Sequence, residues 1–228
     1  MVSPRRKQAD LWFRRAENLG VARTCGSRSA ALADMASTAA RSELDSVMAT
    51  KTLLTVEDFV RLPQKDAWYE LVEGELVPLS PGMLPHNRVR DTALVVLKAF
   101  VEGRKLGMVV AEQCFHLFRD TVRIPDLAVI FRGRDLSPEK PIAGGPDLVI
   151  EVVSPTNTPR EIDQRISDYF AAGCKRTWVL YPAYREVYIH GLAGMVRKQG
   201  DELLEDPELL PGFSVKVSVL FEGLDNWG

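Results

Sequence analysis

The segment Leu148-Val149-Ile150-Glu151-Val152-Val153 is the strongest constraint on how this chain can fold. It does not alternate between polar and apolar positions. Val, Ile and Leu on both faces of an extended segment read as a strand covered on both sides, inside a sheet flanked by other elements rather than at a surface. One carboxylate interrupts it. An ionised Glu151 without a partner there would cost several kcal/mol or shift its pKa upward. A basic partner, a shared proton or a bound cation must compensate it.

The segments around this strand have recognisable local signatures. Thr55 caps a short helix through Arg61, with Glu57 and Asp58 placed against the positive end of its dipole. Tyr69 to Val77 alternates and turns at Glu73-Gly74, the pattern of a β-hairpin. From Pro85 to about Lys105, Val89, Ala93, Val96, Leu97 and Phe100 recur at helical spacing, with Gly107 near the expected stop. Strands are predicted from Met108 to Phe118 and, after a turn near Arg119-Asp120, from Ile124 to Phe131. Thr158-Pro159-Arg160-Glu161 is a capping box with proline at the first helical position, so a second long helix runs from about Pro159 to Ala172, ahead of Gly173. Strands follow at Thr177 to Tyr181 and Glu186 to His190, with weaker segments near Met195 and from Phe213 to Phe221. This order predicts an α/β or α+β sheet with few helices.

Of the 228 residues, 1–47 are rich in Arg, Ala and Ser without sustained periodicity, and are expected to be a disordered tail or a mistaken N-terminal extension upstream of Met48. Residues 48–228 are expected to form a single domain. A formal net charge of -2 excludes a uniformly basic coat, so any contact with nucleic acid must come from a local patch. Cys25, Cys114 and Cys174 are scattered and odd in number, which argues against a disulfide framework and for a reducing, cytoplasmic setting. Cys114 and His116 are two apart, but two ligands do not make a zinc site. No apolar stretch approaches the roughly 20 residues that cross a bilayer.

A second carboxylate, Asp126, interrupts the apolar segment Ile124 to Ile130. If the two strands are neighbours, Asp126 and Glu151 converge on one divalent cation, and such hard oxygen ligands suit magnesium or manganese. Metal-assisted phosphodiester hydrolysis needs this set together with a nearby cation. Asp126 also follows a proline, where it would cap a turn.

Pro125-Asp126, then Pro146 to Pro155 around Glu151, then Tyr169-Phe170-Ala171-Ala172-Gly173 with Trp178-Val179-Leu180 and Pro182, resemble the Uma family of restriction-endonuclease-like proteins in the PD-(D/E)XK nuclease superfamily. The hairpin from Tyr69 to Val77 also matches, so the resemblance runs from about Thr52 to His190. It implies a restriction-endonuclease-like mixed central sheet flanked by helices, with an N-terminal β-hairpin, and magnesium- or manganese-dependent cleavage of DNA. Carried over, Asp126 is the central aspartate and Glu151 the following acid, both as metal ligands. Two positions beyond Glu151 the superfamily pattern has lysine, where this chain has Val153. The family typically places that lysine on the next helix, four residues before the tyrosine, and Arg165 stands there. Arginine stays charged and can orient a phosphate, but it does not readily shuttle a proton.

The resemblance also implies Glu70 as an additional acid, and Gln164 and His86 as groups approaching substrate. Homodimerisation is an expectation from related nucleases. The residues themselves leave other readings open: a catalytically inactive DNA-binding or interaction protein that keeps the fold, or an unrelated α/β domain in which Glu151 and Arg165 form only a buried salt bridge. Glu70 also fits an ordinary solvated hairpin, and His86 a surface histidine at a helix start. Tyr169, Trp178 and Tyr181 read as core aromatics.

Overall fold

The computed structural model describes residues 53–62 and 68–224; the expected N-terminal tail lies outside the described residues. The first helix, α1 (Val56–Arg61), is capped by Thr55 as expected, and the cap is a full capping box, with Thr55 and Asp58 each accepting from the other's backbone N–H. Strands β1 (Trp68–Val72) and β2 (Glu75–Leu79) form the hairpin. Its turn holds Glu73 at φ 51° and Gly74 at φ 83°, the left-handed pair that matches the twist of two-residue hairpins.

Helix α2 spans Leu84–Val101 and stops earlier than its periodicity predicts. Lys105, at φ 58°, supplies the left-handed turn, and Gly107 opens the next strand instead of ending the helix. Only glycine fits at 107, because a Cβ there would lie 2.0 Å from the Ile130 carbonyl oxygen. The predicted strand from Met108 to Phe118 is two strands, β3 (Gly107–Ala111) and β4 (Phe115–Phe118), in different sheets. Glu112, at φ 52°, breaks the extended path between them. The segment expected from Ile124 to Phe131 is likewise divided, into β5 (Thr121–Arg123) and β6 (Leu127–Phe131). Pro125 has no N–H to give a ladder, so Asp126 stands just ahead of β6 rather than inside a strand.

Beyond the short β7 (Ile142–Ala143), the segment with Glu151 is β8 (Leu148–Val152), and the second long helix is α3 (Pro159–Ala171). Strands β9 (Arg176–Tyr181), β10 (Glu186–Gly191) and β11 (Gly194–Gln199) continue as an antiparallel meander. The final segment differs from expectation. An unanticipated β12 (Leu203–Asp206) pairs with β13 (Leu210–Lys216), and Val217–Leu220 turns into a short helix, α4.

A six-stranded sheet in the order β11-β10-β9-β8-β6-β3 carries β8 in its interior, parallel to β9 and antiparallel to β6. A five-stranded sheet, β2-β1-β5-β4-β7, brings in the hairpin. On one face of β8, Leu148, Ile150 and Val152 are buried in a core shared with Val89, Ala93, Leu97 and Val101 of α2. Fully burying each such aliphatic side chain contributes roughly 1.5–3 kcal/mol. The other face points Val149 into a cluster with Tyr169 of α3. The result is the mixed α/β sheet flanked by helices, with its N-terminal hairpin, that the sequence predicts. No helix among the described residues is long and apolar enough to cross a membrane.

Candidate functional site

Strand register brings the two acids together. The ladder between β6 and β8 ends at Leu127 opposite Ile150, and Asp126 and Glu151 are the next residues beyond that last pair. Asp126 replaces a ladder hydrogen bond with its own side chain, its Oδ2 accepting from the Val152 N–H at 2.7 Å. His86, in the first turn of α2, sets Nε2 3.2 Å from both carboxylate oxygens of Asp126. Burial disfavours the His86 imidazolium, yet the hydrogen bond and charge of Asp126 outweigh it and raise the pKa.

Helix α3 begins at the capping box, with Thr158 Oγ1 accepting from the Glu161 N–H and Glu161 accepting from the Thr158 N–H at 2.7 Å. That start sets the helical phase, and positions 165 and 169 then fall on the face that meets β8. Arg165 donates through Nε to Glu151 Oε1 at 3.0 Å, through Nη1 to Glu70 Oε2 at 2.6 Å, and through Nη2 to the Ile124 carbonyl at 3.1 Å. Tyr169 donates its hydroxyl to the same Glu151 oxygen at 2.5 Å. Both of these bonds fall on Oε1, so among the described residues Glu151 Oε2 keeps its lone pairs for another partner.

Glu70 is fully buried, which excludes the solvated-hairpin reading. Beyond Arg165 it accepts from Arg123 Nη1 at 2.8 Å and from the Ile124 N–H at 2.8 Å. Arg123 in turn donates to Asp168 at 2.9 and 2.5 Å, and Gln164 donates to the other oxygen of Asp168 at 2.8 Å. Glu70 therefore acts through other groups, fixing the two arginines. Gln164 steadies Asp168.

Four carboxylates in this network, Glu70, Asp126, Glu151 and Asp168, face two guanidinium groups, Arg123 and Arg165. The excess negative charge shows at Glu151. Burial raises its pKa, the charges of Asp126 and Glu70 add to the rise, and Arg165 and Tyr169 oppose it, leaving it at about 7. Burial, with the acids beside it, lifts the Tyr169 phenol well above its usual range, so it is a neutral donor. Arg165 stays charged, since the attraction of Glu151, Tyr169 and Glu70 overcomes its burial.

The donor set fits magnesium or manganese. Two carboxylates with surplus negative charge would hold a hard cation that fills its remaining positions with water or phosphate oxygens. Among the described residues no group of three or more His, Cys, Asp and Glu is placed to hold a metal ion, so the protein ligands offered here are the two carboxylates alone. All six residues singled out in the sequence, Glu70, His86, Asp126, Glu151, Gln164 and Arg165, line one cleft of about 1160 Å³. Arg123, which the sequence reading missed, lines it too. Its signal was available, since Arg123 interrupts apolar Val122 and Ile124 much as Glu151 interrupts its own strand. Tyr169 is both the expected core aromatic and a donor to Glu151.

The family model Uma2, described as "Putative restriction endonuclease", matches residues 56–218. Among solved structures, the crystal structure of "a putative nuclease belonging to DUF820 from Anabaena variabilis" superposes with a TM-score of 0.65 at 20% sequence identity, covering 74% of this chain and 97% of that chain. At that identity the likeness speaks to the fold. No curated protein matches the chain.

Proposed function

This chain belongs to the Uma2 family, and on that premise we propose that it hydrolyses phosphodiester bonds in DNA, with Asp126 and Glu151 holding a magnesium or manganese ion. The observation that carries the reading is that these two carboxylates line one cleft, with Asp126 bonded to the Val152 N–H beside Glu151. When bound, the ion supplies Lewis acidity and a lowered pKa for water. The chain's own residues supply orientation. The Val152 N–H fixes the plane of Asp126, and His86 holds it from the α2 side. Arg165 and Tyr169 grip Glu151 Oε1 and leave Oε2 for the cation. Glu70 anchors Arg165 from behind. With its donors committed this way, Arg165 is a positioning cation beside the reacting centre, and solvent carries the protons that lysine would otherwise move.

Incubation of the purified protein with plasmid and single-stranded DNA in magnesium or manganese is expected to give cleavage. Asp126→Asn and Glu151→Gln are each expected to reduce it by at least about a hundredfold, on the scale of losing an electrostatic contact at a transition state. Cleavage unaffected by either substitution sinks the proposal. One observation favours a second reading, an inactive DNA-binding protein with the nuclease fold. Among the described residues no lysine lines the cleft. Salt-sensitive retention of DNA on a gel without cleavage in any metal would support that reading instead.

A further inference from the structure

One wall of the cleft is a face of the β1–β2 hairpin. Trp68, Glu70 and Val72 alternate onto one face of β1, and the register sets Leu79 opposite Trp68 and Val77 opposite Glu70. All five line the cleft. Glu70 is buried beneath this face, whereas the Trp68 side chain is 57% exposed and Val77 38% exposed. The indole sits two residues along the strand from Glu70, roughly 7 Å, and Glu70 is bonded directly to the Arg165 that holds Glu151. An open aromatic surface therefore lines the same cleft as the carboxylate pair.

The charges in the cleft are unlike those of a duplex-binding groove. Three guanidinium groups line it and each is already paired: Arg90 with Asp91 and Glu112, Arg123 with Glu70 and Asp168, and Arg165 with Glu151 and Glu70. Five carboxylates line the same space. A duplex presents phosphates outward and hides its base faces, so gripping one takes several free Lys or Arg side chains. The cleft offers none among the described residues. What it offers is an indole with aliphatic neighbours, suited to the face of an unstacked base, and an acid pair that accepts a phosphate only through a cation.

We infer that the nucleic acid entering this cleft is an unpaired segment, with a base stacked on Trp68 against Val77 and Leu79 and a single phosphate brought to the Asp126–Glu151 pair. The inference rests on the nuclease reading for the identity of the polymer, and narrows that polymer to single strands, flaps or frayed ends.

The test is the affinity of the full chain for fluorescein-labelled single-stranded and duplex oligonucleotides of one sequence, measured by anisotropy in calcium, with Trp68→Ala and Trp68→Phe in parallel. Far-ultraviolet circular dichroism confirms folding, which an exposed side chain should not control. Wild type is expected to prefer the single strand by about tenfold or more. Trp68→Ala is expected to lose roughly ten- to a hundredfold of that affinity and Trp68→Phe to retain most of it, as stacking on an aromatic platform requires. The log–log salt slope is expected to be shallow, about -1, for one or two neutralised phosphates on a single strand.

Single-strand affinity unchanged within twofold in Trp68→Ala, tighter binding of the duplex, or no binding to either oligonucleotide overturns the inference. Plasmid cleavage that depends on Asp126 but not on Trp68 overturns it and leaves the nuclease reading standing. Trp68-dependent binding of single strands with no cleavage in any metal supports it and removes the nuclease reading.

Discussion

The two faces of β8 satisfy burial by opposite physics. Toward α2, Leu148, Ile150 and Val152 pack against aliphatic side chains, and any well-shaped hydrocarbon would serve. Toward α3, Glu151 is buried too but is held by directional hydrogen bonds from Arg165 and Tyr169. Ion pairs of this kind seldom stabilise more than a packed apolar replacement would. The α3 face therefore reads as built for something other than stability, and the α2 face as the scaffold that holds it.

The sharpest break between the faces should come from Glu70→Ala. It takes from the buried Arg123 and Arg165 guanidiniums the carboxylate they share, leaving each with one acidic partner, with an expected cost of about 3–5 kcal/mol in urea unfolding and a marked loss of magnesium affinity by calorimetry. A fall in stability with magnesium affinity intact would show that the network is not coupled to the metal pair. On the opposite face, Ile150→Ala should cost about 3 kcal/mol through lost burial and the cavity left behind. The folded fraction should still bind magnesium as wild type does, so equal losses of affinity from both substitutions would erase the distinction.

The smallest effect is a dependence on pH. Glu151 has its folded pKa raised to about 7 from an ordinary 4.5. Between those values the folded protein holds a proton that the unfolded chain has released. Its contribution to stability is therefore fully present below about 4.5 and lost as pH rises through 7. From pH 5 to pH 7.5 the metal-free protein should lose on the order of 1–3 kcal/mol from this group. Added magnesium should restore more stability at pH 7.5 than at pH 5, where the proton competes for the site. Thermal melts at the two pH values, with Glu151→Gln as the control, check this; an unchanged profile in Glu151→Gln would assign the dependence elsewhere.

Much of this was legible in the sequence where the signal is local. The Thr55 cap, the capping box at Thr158, the Glu73-Gly74 turn and the doubly covered strand appear where they were expected. The misplacements came where a long-range contact overrode local pattern. Gly107 looked like a helix stop but is a strand residue pressed against the Ile130 carbonyl, and the apolar Phe213–Phe221 segment leaves its strand at Val217 for a helix buried in the main core. At the site, acids within apolar segments announced themselves, whereas the role of Arg123 depends on Glu70 and Asp168, which only the fold brings to it.

The sequence by itself determined that Glu151 would be buried and would need a compensating charge, since an apolar run dictates burial whatever lies around it. It could not determine how that charge is supplied. Glu70 and Arg165 are 95 residues apart, and Glu70 and Arg123 are 53 apart. Only the folded sheets decide that these groups meet, because pairing depends on strand order and register, which a chain acquires when distant segments pack. The same packing ties Asp126 to the Val152 N–H beside Glu151 and turns two separate anomalies into one site.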